Sequence, residues 1–173
     1  TKMSRKTASA MRPMPRRVQE FIRTAPSPAL AENNVQRLLE TTSQDVARFP
    51  AAKLSVLIQL LGSSSFLADV LLREGTDWLD LFLRQIGVEQ KTRAEHAREL
   101  DAMIKSSEKF EEFCAALRQY KQREYLRIGA RDLMPSVTLE ETVRELTALA
   151  EASLGAAYQF CRAAVEKDYG ILN

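Results

Sequence analysis

Between Leu117 and Leu133 the chain reads LRQYKQREYLRIGARDL, a stretch that sets dense charge beside large apolar groups. Arg123, Glu124, Arg127, Arg131 and Asp132 stand among Tyr125, Leu126, Ile128 and Leu133. On a helix Glu124 and Arg127 lie three apart and Arg127 and Arg131 four apart, so these three share one face. The planar guanidinium fork pairs bidentately with carboxylate or phosphate, and those are the two chemistries this spacing serves. In one reading the face is a partly buried ion-pair network that fixes the helix against a neighbour. In the other it awaits a phosphate, a nucleotide or the surface of another domain. The network is the preferred reading, and Arg123, Glu124, Arg127, Arg131 and Asp132 are the candidate site residues under either.

Other reactive side chains make no constellation. His96 is the single histidine, with no Ser, Cys or acid at diagnostic spacing, so neither a triad nor a zinc site can be argued. It is expected on the surface of a charged helix. Asp69 follows a Gly62-Ser63 turn but has Leu71 where a second metal-binding carboxylate would stand. A cap or ion pair suits it better. Cys114 and Cys161 fall on apolar faces and read as small buried hydrophobes, not as a disulfide framework. Trp78 and the phenylalanines at 66, 82, 110 and 113 read as core. The acids of the run 108–112 and those at 140, 141 and 145 read as solvated faces or helix-dipole partners. No metal-ligand set emerges.

The elements that must position these residues are helices. Only six glycines and six prolines occur in 173 residues, and β-branched residues form no alternating runs. Val18, Phe21 and Ile22 suggest a short helix. Ser27-Pro28 is an N-cap followed by proline at the first helical position. A strongly apolar helix covers 51–61 and is stopped by Gly62. Ser63 or Ser64 opens the next, with Phe66, Leu67, Val70 and Leu71 inward. Gly75 and Gly87 bracket a helix carrying Trp78, Leu79, Phe82 and Leu83. A thinly apolar helix covers 92–104, and a long one 107–133. Thr138 with Glu141 is a capping-box signature. From there Leu139, Val143, Leu146, Ala150, Ser153, Ala157, Phe160 and Ala164 step by fours and threes, the expected seam of a helix over 138–168. The predicted fold is all-α: an irregular multi-helix bundle with two long C-terminal antiparallel helices.

Length favours a single domain. Apolar residues make up 45% and charged residues 28%, ordinary for a globular chain. The longest apolar run is too short to span a bilayer, so no membrane partner is expected. Net charge is +2, yet residues 1–23 carry seven Lys/Arg against one acid and the remainder 18 basic against 22 acidic residues. Residues 1–25 are expected to be a basic flexible tail without a nucleic-acid ligand, and 26–173 the helical domain.

The same segments carry a family resemblance. Arg123, Glu124, Leu126, Arg127, Ile128, Asp132 and Leu133 follow the form R-E-x-L-R-I-x-x-x-D-L. Glu140, Thr142, Glu145, Leu146, Thr147, Leu149 and Ala150 follow E-x-T-x-E-L-[ST]-x-L-A. Upstream, GSSSFLADVLLREGTDWLDLFLR from Gly62 to Arg84 supplies a third match. Together they cover about 54–157 and resemble the glutamine synthetase adenylyltransferase/deadenylylase family. Gly75-Thr76, where the family usually has His-Pro, and Met134-Pro135-Ser136-Val137 depart from it.

The resemblance implies the N-terminal helical part of the first of the family's two halves, the one that removes AMP from glutamine synthetase while the second attaches it. Glutamine synthetase and a PII-type signal protein are the implied partners, a cytoplasmic setting the implied location, and Mg and ATP the implied cofactors of the complete enzyme. The family's catalytic signature, a Gly-rich turn with S-D-x-D, would hold phosphates and divalent metal. This chain has scattered glycines and no Asp-x-Asp. It is therefore expected to be inactive alone, to carry no cofactor, and to supply scaffold or recognition surface to a catalytic region it lacks. The alternative is a stand-alone helical protein-interaction module without enzymatic activity.

Overall fold

In the computed structural model, which describes residues 13–87, 89–105, 107 and 109–170, every regular element among the described residues is helical. The chain divides into two compact units, Thr1–Asp77 and Trp78–Asn173, where length alone favoured one domain.

The first unit is built around an apolar helix. α1 (Arg16–Ile22) buries Val18 and Ile22. Ser27 accepts the Leu30 N–H and Pro28 starts α2 (Pro28–Thr41), the cap that Ser-Pro spacing requires. A short 3₁₀ turn at Val46–Arg48 leads to α3 (Ala51–Ser63), whose Leu54, Leu57, Ile58, Leu60 and Leu61 are all buried. A helix apolar on so many sides belongs at a centre, and α1, α2 and α4 (Ser65–Glu74) all pack on it. One of the carbonyls that α3 leaves without a helical partner at its C-terminal end, that of Leu61, accepts a buried hydrogen bond from Asn34 Nδ2 at 2.9 Å. Gly62, expected to stop α3, instead lies inside it. A Cβ there would come within 2.9 Å of the Ala25 methyl, so its role is close approach. Gly75, at φ +72°, does end α4. No single helix among the described residues is long and apolar enough to cross a membrane.

α5 (Thr76–Gln85), all but its first two residues in the second unit, buries Trp78, Leu79, Phe82 and Leu83. α6 (Arg93–Ile104) opens with a capping box from Thr92 and Glu95, and α8 (Leu139–Tyr169) with the box expected from Thr138 and Glu141. α7 (Phe110–Asp132) runs 23 residues and α8 runs 31. α8 packs along both α6 and α7, which also touch each other. Asp132 bonds Thr142, Arg127 pairs with Glu145 and Phe113 stacks on Phe160, so contacts advance in opposite senses along α7 and α8. Leu100, Tyr120, Ile128, Leu149 and Ala156 form the apolar core of these three helices.

Several expectations are corrected. α8 turns Thr142, Glu145, Leu149, Ala152, Ser153 and Ala156 inward, while Leu139, Val143, Leu146 and Ala150 of the expected seam lie in solvent. The buried face is rotated by about 100° from the larger side chains, because Glu145 must reach Arg127 and because Ala152 and Ala156 let neighbours approach. Phe66 and Phe110, expected in the core, are 55% and 58% exposed. Cys161 is exposed and Cys114 half-buried. Of the expected tail, residues 16–22 are helical and Val18 is fully buried; residues 1–12 lie outside the described residues.

Candidate functional site

α7 presents Glu124 and Arg127 to the interior one turn apart, and both are buried although charged. A lone buried charge is costly, so each must find partners. Arg127 Nε donates to Glu124 Oε2 at 2.8 Å, and its Nη2 donates to Glu145 Oε1 on α8. Its Nη1 reaches the Glu89 carbonyl at 3.5 Å. The loop before α6 supplies the second cation. Lys91 Nζ donates to Glu124 Oε1 at 3.0 Å and to Glu99 Oε2 at 2.7 Å, while the Lys91 backbone N–H donates to Glu145 Oε1 at 2.7 Å. Arg123 Nη2 adds a bond to Glu99 at 3.3 Å, and Arg131 Nε lies 3.6 Å from Glu145 Oε2. Three carboxylates and four cations thus tie α6, α7, α8 and the loop before α6 together.

The electrostatics follow from this geometry. Burial opposes ionisation of Glu124, but Arg127 and Lys91 outweigh it and hold its carboxyl below the usual range. Burial likewise opposes charge on Arg127, and Glu124 and Glu145 more than offset it. Tyr120 is fully buried; burial, and then the charges of Glu124 and Glu99, push its phenol up. The Tyr120 hydroxyl donates to Glu99 Oε2 at 3.3 Å and lies 2.9 Å from His96 Nδ1. Burial pushes the His96 imidazole down, against the raising effect of Glu124, so the ring is neutral at pH 7.

Of the residues singled out from sequence, Arg123, Glu124, Arg127 and Arg131 are brought together here. Asp132 is not: it sits at the exposed end of α7 and accepts from the Thr142 hydroxyl at 2.8 Å. Two expectations are overturned. His96 is not on the surface but fully buried, because Tyr120 and Glu124 draw it inward. Glu145 is not a solvated acid but the buried partner of Arg127 and Lys91. Sequence reasoning missed Lys91, Glu99 and Tyr120. Only Tyr120 left a signal, lying four residues before Glu124 on the same face. Asp69 is exposed and paired with Arg37 at 2.8 Å.

Chemically the cluster is closed. Its carboxylates are engaged by cations, and among the described residues no group of His, Cys, Asp or Glu could hold a metal ion. The arrangement can lock helices together; it offers no exposed nucleophile.

The chain is similar to the bifunctional glutamine synthetase adenylyltransferase/adenylyl-removing enzymes of Shewanella loihica and Nitrosococcus oceani. It is 28% identical to the first over 82% of this chain and 14% of that enzyme, and 33% identical to the second over 70% and 12%. It therefore spans about an eighth of the length of these relatives. No solved structure matches. The profile of the glutamate-ammonia ligase adenylyltransferase family matches residues 54–172, which take in most of α3, all of α4 through α8 and every residue of the ion network, and the chain belongs to that family.

Proposed function

We propose that this chain is a helical, non-catalytic region of a protein that adds AMP to and removes it from glutamine synthetase, acting as scaffold and recognition surface. The carrying observation is Arg127, buried between Glu124 and Glu145 with its donors engaged inside the fold. A phosphate would have to displace two carboxylates to reach it, so the arginine face serves the architecture. In this reading ATP and Mg²⁺ act at a catalytic region outside the chain, where paired carboxylates hold the metal. Glutamine synthetase and a PII-type signal protein are the partners of the whole protein, in the cytoplasm.

Calorimetry tests the inert half of the proposal: the chain binds neither MgATP nor MgADP in the micromolar range, and micromolar magnesium-dependent binding would overturn it. The positive half is tested by exchanging residues 54–172 for the matched segment of the Nitrosococcus oceani enzyme. A folded chimera should retain both activities toward glutamine synthetase; a folded but inactive chimera would sink the reading.

A stand-alone interaction module is the second reading. The apolar surface of α8 is the observation that favours it.

A further inference from the structure

We draw no further inference here: the strongest candidate, the exposed apolar face of α8 formed by Leu139, Val143, Leu146, Leu154 and Tyr158, carries none because nothing in the structure shows what covers it.

Discussion

The two compact units solve the same problem with opposite materials. Around α3 the interior is mostly hydrocarbon: five buried Leu and Ile side chains on one helix, with Asn34, which satisfies a helix end, and Thr42 the buried polar side chains among the described residues of that unit. Among α6, α7 and α8 the apolar core is small, and the largest fully buried side chain is Arg127. Hydrocarbon burial is non-directional and insensitive to pH. A buried ion network is directional, and it is only as stable as its completeness. The first kind of interior tolerates rearrangement of contacts; the second fixes which face of each helix points inward, at the risk of collapse when one member is lost.

Arg127→Ala should expose this difference most sharply. It takes the shared guanidinium from Glu124 and Glu145, leaving Lys91 and Arg131 as their remaining cationic partners at 3.0 and 3.6 Å, and should cost up to about 3–5 kcal/mol, measured by urea unfolding at pH 7. The cost should shrink as pH falls into the carboxylate range, where a buried Glu124 with one cation fewer takes up a proton more readily. Melting unchanged from the parent would show that the network does not hold the helices together.

Leu57→Ala in α3 is the counterpart. Its side chain is fully buried, so a cost of about 2–5 kcal/mol is expected from lost burial and the cavity left behind. That cost should be the same at pH 5 and pH 7. A pH-dependent penalty here would erase the contrast between the units.

The smallest effect belongs to His96. Its folded-state pKa is depressed by burial, so below the unfolded value of about 6.5 the unfolded chain gains a proton that the folded chain does not. Stability should therefore fall with acid from pH 6.5, at up to about 1.4 kcal/mol per pH unit, until the folded ring protonates. The depressed carboxyl of Glu124 adds its own loss below the carboxylate range. His96→Gln should flatten the upper limb alone. An unchanged slope between pH 6.5 and 5.5 in that variant would assign the effect elsewhere.

Local chemistry was legible in the sequence: the Ser27-Pro28 start, the Thr138–Glu141 box, the Gly75 stop and the Glu124–Arg127 pair each depend on residues within four positions of one another. What was hidden depends on distance along the chain. Lys91 meets Glu145 across 54 positions and Glu124 across 33, and no periodicity reports such meetings. α8 misled for a related reason. Its strongest hydrophobic period runs through Leu139, Val143 and Leu146, yet the helix is oriented by one carboxylate, Glu145, and by alanines that weigh little in a hydrophobic pattern. His96 misled because a lone histidine among charges resembles surface until Tyr120 is placed beside it.

Glu145 also sets a schedule. During synthesis the chain is extruded from its amino end, so Lys91, Glu124 and Arg127 leave the ribosome before Glu145 does. Until then Arg127 has one carboxylate where the finished fold provides two, and the Lys91 amide has none. Helices α6 and α7 can form as they emerge, but their mutual seating waits for the first two turns of α8. The second unit is thereby committed late, in one step, by a residue near the start of its last helix.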